Sequence, residues 1–524
     1  MRVKVSTVNR TIASRPLLLI PALLLAGGIC AGAESKFDPR IFAGRESASF
    51  LVVMREQADL SGAEAFADKA EKGRFVFEAL RSKAEASQGP LRAALDAAGA
   101  SYRSFYLVNM IEVTGGRPLA EELAARDDVA IVAPNLEARF DAGPAIEQQP
   151  SPFAVRPSPL ALLTVEPNIA KVGAPDVWSR GFTGQGIVVG MADTGTAWEH
   201  PALKSHYRGF NGTAVSHDYN WHDAVHNALA ANPCGSDAPA PCDDESHGTS
   251  TASLVVGDDS AGNQVGMAPG ARFISCRNMD QGTGTPARYT ECFQFFLAPT
   301  DHNGANPRPD LAAHVINNSW GCPPSEGCTD PLVLKTAVEN VRAAGIVVVF
   351  ATGNGGPLCS TISDVPSFYD AAFSIGATTI SDAIADFSSR GPVTADGSNR
   401  LKPDICAPGV NLRVARPPAA YLAGFSGTSG SAPHVTGAVA LLWSAAPQLI
   451  GQVAATTSLL ERTAVPLTST EDCGGFPGAA VPNAVFGWGR LNVAAAVNAA
   501  APPARPKAVL SPRRGSTRRV PPRP

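Results

Sequence analysis

Short apolar runs recur along the middle of the chain and indicate strands that are buried on both faces. The clearest runs span residues 186–192, 272–276, 314–317, 346–350 and 373–376. Helical patterns, such as the one at 332–344, lie between several of these runs. Alternating apolar strands and helices predict an α/β fold, in which a parallel sheet carries helices on both faces.

Residues 34–142 carry a different pattern and predict a separate, small α+β domain. Its predicted elements follow the order β-α-β-α-β, at residues 49–53, 60–98, 102–113, 119–125 and 129–132. This segment contains no Cys and no His, so it cannot hold a site that depends on histidine. Residues 143–165 are rich in proline and predict an extended linker that proteases can reach. The main domain is therefore expected at 166–500.

The two ends of the chain predict export and an unfolded tail. Residues 1–33 have a basic start, a short apolar stretch and small residues before a cleavage site after Ala33, as in a secretory signal peptide. The apolar stretch is too short for a membrane span. Residues 501–524 are basic and rich in proline, which predicts disorder. We expect a secreted protein, extracellular or periplasmic.

Composition agrees with a large folded domain that has many turns. The chain has 524 residues, of which 44% are hydrophobic, enough for a large core and a smaller domain. Its 49 Gly and 44 Pro predict many loops. The net charge of −4 combines two basic ends with an acidic body, which argues against nucleic acid as a ligand.

The cysteines predict disulfides, because an exported chain meets oxidising conditions. Two pairs are close in sequence and two further pairs are more distant, namely Cys234–Cys242, Cys322–Cys328, Cys276–Cys292 and Cys359–Cys473. Cys406 would remain as a buried thiol. No Cys-x-x-Cys pair occurs, which argues against a zinc site.

Ser429 stands in a glycine-bounded turn before the apolar run 438–443 and is a candidate nucleophile. The N–H groups of a first helical turn, and the helix dipole, favour negative charge at such a place. Pro433 is expected in that first turn, where a missing N–H has no cost. The same residues also fit a simpler role, in which Ser429 only caps a core helix.

Three further residues could serve such a serine. Asp193 follows the run 186–192, and the carboxyl ends of parallel strands are where open α/β sheets place function. Asp-Thr-Gly also marks aspartic proteases, which need two such carboxylates, and here would require a symmetric dimer. His247 opens a helix of small residues, and Asn354 follows a predicted strand. Each of these residues alone also fits a structural role, such as a turn.

Together these four residues form a coherent catalytic set. A serine hydroxyl is a weak nucleophile at neutral pH, so His247 would accept its proton. Asp193 would hold the imidazole in the required tautomer and stabilise its charged form. The Asn354 amide and the Ser429 N–H would stabilise the oxyanion.

The chain resembles the subtilisin-like serine proteases. The matching motifs are Asp193-Thr194-Gly195, His247-Gly248-Thr249 and Gly427-Thr428-Ser429 with 431–435. Their Asp-His-Ser order is the subtilisin order. More narrowly, residues 220–223, 276–280 and 317–324 resemble the bacillopeptidase F-like branch. Two departures are visible: Gly430 stands where the family usually has Met, and Ser250 where many relatives have His.

The resemblance implies a subtilisin-like fold and a set of functional properties. Residues 34–142 would be an inhibitory propeptide, cut off within the linker by the enzyme itself. Substrates would be proteins or peptides, the enzyme would be a monomer, and no cofactor would be required for the chemistry, although the family allows structural calcium. The pocket for the residue before the scissile bond would be lined by Ser319, Trp320, Gly321, Ala351, Thr352 and Gly353.

The function predicted from the sequence is therefore a secreted serine endopeptidase, made as a precursor that processes itself. Two alternatives stay open. One is a transpeptidase or cyclase that passes the acyl group to an amine. The other is an inactive binding module on the same fold.

Overall fold

A computed structural model describes residues 36–139, 164–322 and 332–501. The predicted signal peptide, almost all of the linker and the basic tail therefore lie outside the described residues. Within the described ranges, no helix has both the length and the apolar character needed to cross a membrane.

The N-terminal domain is a four-stranded antiparallel sheet with two helices, in the order β2-β3-β1-β4. Its elements are β1 (Ser47–Met54), α1 (Lys69–Ala97), β2 (Ser101–Phe105), β3 (Met110–Gly116), α2 (Arg117–Ala124), β4 (Val129–Pro134) and β5 (Ala138–Arg139). A core of its own lies between the sheet and the helices and includes Phe50, Leu91, Ile111 and Val132.

The prediction for this domain was wrong at two places. Helix α1 begins at Lys69, whereas the sequence predicted its start at residue 60. Residues 102–113 were expected as one strand, but they form the hairpin of β2 and β3. The turn between the two strands contains Leu107 and Val108, which are buried. Because the two central residues of this turn are apolar, Asn109 is its one strongly polar position, and the two strands were read as one.

The main domain contains most of the described chain. Its elements are β6 (Thr164–Val165), α3 (Pro167–Lys171), α4 (Ala174–Trp178), β7 (Val188–Asp193), α5 (Pro201–Lys204), β8 (Trp221–Asp223), α6 (His247–Val256), β9 (Asn263–Gln264), β10 (Arg272–Arg277), β11 (Met279–Asp280), β12 (Thr283–Gly284), α7 (Pro286–Leu297), β13 (Val315–Asn318), α8 (Lys335–Ala343), β14 (Val347–Ala351), β15 (Phe373–Thr378), β16 (Ile405–Pro408), β17 (Leu412–Arg416), β18 (Ala420–Phe425), α9 (Thr428–Ala445), α10 (Val453–Arg462) and α11 (Val493–Ala500).

Seven of these strands form a parallel sheet in the order β16-β15-β14-β13-β7-β10-β8. The α/β fold and the five strands expected from apolar runs are confirmed, with shifts of one or two residues at their ends. The edge strands β8 and β16 were not expected, because they are only three and four residues long. Helix α9 packs against the sheet and is buried along almost its whole length.

Three predicted disulfides are present, Cys234–Cys242, Cys276–Cys292 and Cys359–Cys473. Cys406 is a free, buried thiol, as predicted, and burial raises its pKa well above the usual range. Cys322 is also disulfide-bonded, and its predicted partner Cys328 lies outside the described residues.

The N-terminal domain and the main domain belong to one compact unit. Strand β5 pairs antiparallel with β12, so that Ala138 faces Gly284 and Arg139 faces Thr283. Strand β12 also pairs with β11 in the same small sheet. The end of the N-terminal domain is therefore bound to the main domain through its backbone.

Side chains fix this contact from both domains. The Asn135 Oδ1 accepts the Ala287 N–H at 3.0 Å, in the first turn of α7. In return, the Gln294 Oε1 on α7 accepts the N–H groups of Tyr106 and Leu107, at 2.9 and 3.1 Å. Each domain thus accepts hydrogen bonds from backbone N–H groups of the other domain, at a turn in one case and at a helix start in the other.

Candidate active site

Asp193 is the last residue of β7, at the carboxyl edge of the parallel sheet. Its Oδ1 accepts hydrogen bonds from the Thr194 N–H, at 2.8 Å, and from His247 Nδ1, at 2.7 Å. The Thr251 hydroxyl donates to Oδ2 at 3.1 Å. Because both oxygens are engaged, the buried carboxylate has one orientation, and that orientation directs it at the imidazole.

His247 is the first residue of α6, and Ser246 before it has a left-handed backbone with φ 76°. Burial lowers the pKa of His247, but the charge of Asp193 and its hydrogen bond raise the pKa by more, with a further contribution from Glu245. The net pKa lies above the ordinary value. His247 can therefore act as a base once the pH exceeds this raised value.

Asp243 joins the strand end to the start of α6, and the sequence analysis did not single it out. One of its oxygens accepts the Thr194 hydroxyl and the Ser246 N–H, each at 2.8 Å. The other accepts the Thr249 N–H at 2.8 Å. Burial raises the pKa of Asp243. Its position in an acidic run just before the histidine was the one signal that the sequence offered.

Ser429 is the second residue of α9 and is 2% exposed. Its Oγ donates to the Ser319 carbonyl at 3.0 Å, and the Ser319 hydroxyl donates to the Ser429 carbonyl at 2.9 Å. Gly427 precedes the helix with φ 151°, a backbone conformation that favours glycine. The serine thus lies at the junction of the helix and the end of β13.

Pro433 lies inside α9, whereas the sequence predicted it in the first turn. A proline at this position lacks the N–H that would bond to the carbonyl four residues back, which is that of Ser429. The hydroxyl of Ser319 donates to this carbonyl instead. The lost helix bond is replaced by a bond between helix and sheet, which holds the serine segment against β13.

Asn354 follows β14 and approaches the start of α9 from the sheet. Its Oδ1 accepts the Thr428 N–H at 2.9 Å and the Thr428 hydroxyl at 3.0 Å. These two bonds fix the orientation of the amide, because only the oxygen can accept them. A Cβ atom on Gly427, the residue before Thr428, would lie 3.7 Å from Asn354 Nδ2, so the amide nitrogen lies beside the turn that leads into α9.

The sequence model of the subtilase family matches residues 184–489, which is more than half of the chain. The chain belongs to the subtilase family. It is similar to bacillopeptidase F of Bacillus subtilis (strain 168), with 36% identity over 409 residues, which are 76% of this chain and 26% of that protein. The serine protease AprX of the same strain is 32% identical over 294 residues, 51% of this chain and 59% of AprX.

Subtilisin E of the same strain is 29% identical over 281 residues, which are 53% of this chain and 61% of that protein. The chain therefore spans less than two thirds of the length of each of these three relatives. The predicted resemblance to the subtilisin-like family is confirmed.

In this subtilase, the segments predicted to line the substrate pocket lie where the sheet ends. Residues 319–321 follow β13, and Thr352 and Gly353 follow Ala351, the last residue of β14. Trp320 is 1% exposed and stacks on Tyr289, with ring centroids 3.9 Å apart. The Trp320 side chain therefore belongs to the core and not to the pocket. Residues 319–321 can line a pocket mainly with backbone atoms and small side chains.

The hairpin of β17 and β18 explains why this subtilase has glycine at position 430. A Cβ atom on Gly430 would lie 2.5 Å from Leu412 Cδ1 and 3.5 Å from the Phe425 ring. The Phe425 ring also lies 5.8 Å from that of His247. Ser250 Oγ donates to the Ala415 carbonyl at 3.2 Å, which ties the histidine helix to the same hairpin.

The loop that leads into the histidine helix of this subtilase is organised around a buried arginine. Arg277 makes two hydrogen bonds to Asp223, at 2.9 and 2.6 Å, and lies 3.3 Å from Asp244 Oδ2. Burial raises the pKa of Asp244 to about 6. The disulfide Cys234–Cys242 closes the same loop. One cation, two carboxylates and one disulfide thus fix the path of the chain just before His247.

Metal binding stays a prediction without a ligand set. Across residues 36–139, 164–322 and 332–501, no group of three or more His, Cys, Asp or Glu side chains is arranged to hold a metal ion. The residues described above require no metal for the roles that the sequence predicts.

Proposed function

We propose that this subtilase is a secreted serine endopeptidase that hydrolyses peptide bonds through an acyl-enzyme. The observation that carries the proposal is the 2.7 Å hydrogen bond between His247 Nδ1 and Asp193 Oδ1. It lies at the sheet edge where Ser429 opens the buried helix α9. The relatives that are named serine proteases support the same reaction class.

In the proposed mechanism, Ser429 Oγ attacks the scissile carbonyl while His247 Nε2 accepts its proton. The Asp193 carboxylate stabilises the resulting imidazolium through its hydrogen bond with His247 Nδ1. The Asn354 amide and the Ser429 N–H stabilise the oxyanion of the tetrahedral intermediate. His247 then donates the proton to the leaving amine, and a water molecule, activated in the same way, hydrolyses the acyl-enzyme.

A serine-reactive fluorophosphonate probe tests this assignment together with hydrolysis of a chromogenic peptide. We expect the wild-type enzyme to be labelled and active, and Ser429→Ala to lose both properties. His247→Ala and Asp193→Ala should lose nearly all activity, and combining the changes should add little, because the three residues act as a unit. Activity that survives in Ser429→Ala would contradict the proposal.

The same experiments separate the two alternative functions. An inactive binding module would fold but would not react with the probe. A transpeptidase or cyclase would react with it, so the masses of the products decide that case. With a model peptide and an added amine, hydrolysis gives the free acid, whereas acyl transfer gives the amide.

We also propose that residues 34–142 are an intramolecular inhibitor that the enzyme itself removes. An extended substrate can bind by adding a strand to an exposed edge. The antiparallel pairing of β5 with β12 is a backbone contact of this kind. The chain that follows β5 would then be led through the active site. The tether raises the effective concentration of the inhibitor until the linker is cut.

Sequencing of N-termini tests self-processing. We expect wild type to mature to a form that begins between Arg139 and Glu166, while Ser429→Ala accumulates as a precursor that begins at Glu34. Both proteins are purified from a host that lacks other extracellular proteases. If Ser429→Ala is cut at the same bond, the cleavage is not carried out by this enzyme.

The proposed setting follows from the ends of the chain and from the family. Residues 1–33 support export, to the extracellular space or the periplasm. The substrates would be proteins or peptides, and the mature enzyme would be a monomer that needs no cofactor for its chemistry. These properties rest on the sequence and on the resemblance.

A further inference from the structure

Asp364 lies between the two segments predicted to form the pocket walls. A Cβ atom on Gly321 would lie 2.7 Å from Asp364 Cβ and 3.0 Å from its Oδ2. A Cβ atom on Gly353 would lie 2.5 Å from the same Oδ2, and Gly353 has φ 98°. Both glycines thus leave the space that the carboxylate fills. The aspartate touches both walls at once.

The backbone around Asp364 holds it in this position. Cys322 and Val365 exchange two backbone hydrogen bonds, at 2.8 and 3.1 Å, in an antiparallel bridge that joins the segment of Gly321 to that of Asp364. The N–H and the hydroxyl of Ser367 donate to the Asp364 carbonyl, at 2.8 and 2.7 Å. This turn keeps the side chain against the walls.

The two glycines that Asp364 contacts are close in the chain to residues of the proposed reaction site. Ser319, two residues before Gly321, exchanges two hydrogen bonds with Ser429. Asn354, the proposed oxyanion donor, directly follows Gly353. A side chain that enters between the walls from the scissile bond would therefore approach Asp364. The aspartate is half-buried, between the buried residues Ile362 and Val365, so its charge is only partly screened by water.

We propose that Asp364 is the specificity-determining residue of this pocket and selects Lys or Arg before the scissile bond. The inference rests on the proposed peptidase function. The apolar stem of a Lys or Arg side chain would pass between the glycine walls, and its charged end would pair with the carboxylate. An aspartate at the base of the corresponding pocket selects basic residues in trypsin, which has an unrelated fold.

Four tetrapeptide p-nitroanilides that differ only in the last residue test the proposal. That residue is Arg, Lys, norleucine or Phe, and norleucine matches the lysine stem without its charge. We expect kcat/KM of the mature wild-type enzyme to be at least about tenfold higher for Arg and Lys than for norleucine and Phe. Asp364→Asn should lower kcat/KM for the basic substrates by about 10- to 100-fold and change the other two by less than about threefold.

Asp370→Asn is the matched control, because its side chain is 92% exposed and lies six residues further along the chain. It should leave all four values unchanged. Equal cleavage of Arg, norleucine and Phe by wild type, or the same ratio in Asp364→Asn, would overturn the inference while leaving the peptidase assignment intact. An enzyme that cleaves none of the four and does not react with a fluorophosphonate probe would instead refute the proposed function.

A measurement on the wild-type enzyme alone covers the case in which Asp364→Asn fails to fold. Mass spectrometry of products from a random peptide library gives the residue before each cut. Enrichment of Lys and Arg there supports the role of Asp364. Their depletion relative to the library contradicts it, whatever the variant does.

Discussion

At the scale of single residues, the proposed oxyanion donor offers a direct test of the catalytic geometry. Thr428 holds Asn354 through two bonds to Oδ1, so the amide is oriented before substrate arrives. We expect Asn354→Ala to fold and to lower kcat by about 10²- to 10³-fold, the loss found for one such donor in a subtilisin. Steady-state kinetics on a chromogenic peptide measures this.

Asn306→Ala is the control, because Asn306 lies on an exposed loop where it bonds to Asp301. Its kcat should equal that of wild type. If Asn354→Ala raised KM and left kcat unchanged, the amide would contribute to substrate binding rather than to the transition state.

A second test concerns the carboxylate next to the proposed catalytic histidine. The His247 N–H donates to Glu245 Oε2 at 3.1 Å, and the negative charge of Glu245 raises the pKa of His247. Asp193 and Asp243 act in the same direction, against burial. Protonated His247 cannot accept the serine proton, so kcat/KM falls as the pH drops through this pKa.

We therefore expect Glu245→Gln to move the acid limb of the kcat/KM profile to lower pH, because one charge that favours imidazolium is removed. The wild-type limb should lie above the ordinary histidine value of 6.5, since the pKa is raised. The profile is measured from pH 5 to 9, with the exposed Glu339→Gln as control. A limb that stays in place or moves to higher pH would contradict this account.

The sequence predicted the four candidate catalytic residues together because each stands at the end of an apolar strand or at the start of a helix. In the folded protein Asp193 and His247 lie within hydrogen-bonding distance, and Asn354 lies beside the start of the helix that carries Ser429. Asp243 and Asp364 were not predicted. Asp243 had only the acidic run before His247 as a signal, and the contacts of Asp364 with Gly321 and Gly353 lie in segments that no local pattern connects.

At the scale of elements, the first turn of α9 packs tightly against the hairpin of β17 and β18. A side chain on Gly430 would meet Leu412 and Phe425. We expect Gly430→Met, which introduces the residue usual in the family, to lower the free energy of unfolding by about 1–3 kcal/mol through overpacking. Thermal unfolding of the Ser429→Ala precursor measures this without self-digestion.

Leu412→Ala gives the matched test of the cause. Alone it should destabilise, because it removes a buried side chain from the small cluster under the hairpin. Combined with Gly430→Met it should recover part of the loss, since the methionine can fill the vacated space. Strictly additive losses in the double variant would show that Leu412 is not the residue that position 430 meets.

One element boundary was missed although the sequence carries a local signal for it. Helix α1 begins after Asp68, whose Oδ1 accepts the N–H groups of Ala70 and Glu71, at 2.8 and 3.0 Å. The sequence analysis began this helix at residue 60, because the preceding residues share its composition. It missed the turn at Leu107 because Leu107 and Val108 are apolar, and these two residues pack into a core cluster that they share with the main domain. The residues of this turn are therefore set by tertiary packing, about which a local sequence pattern carries no information.

At the scale of the whole molecule, an ion cluster joins the N-terminal domain to the main domain. Arg103 on β2 pairs with Glu291 on α7 and with Glu112 on β3, the latter at 2.7 Å. His222 and His226 of the main domain also bond to Glu291, at 2.7 and 3.0 Å. Burial would raise the pKa of Glu291, but these two histidines and Arg103 outweigh it and depress the pKa strongly.

If the N-terminal domain is the inhibitor, removal of the Arg103 charge should weaken it. Arg103→Met keeps much of the apolar stem but leaves the buried Glu291 with only the two histidines as partners. We expect inhibition weaker by roughly 1–2 kcal/mol, or about 5- to 30-fold, because the remaining partners limit the loss. The measurable result is a shorter lag before peptidase activity appears during maturation.

Arg117→Met is the control for this experiment, since Arg117 pairs with Glu121 within the N-terminal domain, on an exposed face. Its lag should match that of wild type, which separates loss of the interface from general loss of stability in the inhibitor. A lag in Arg103→Met that equals or exceeds that of wild type would mean that the cluster does not stabilise the inhibited state. The backbone pairing of β5 and the contacts of Asn135 and Gln294 would then hold the domains together without it.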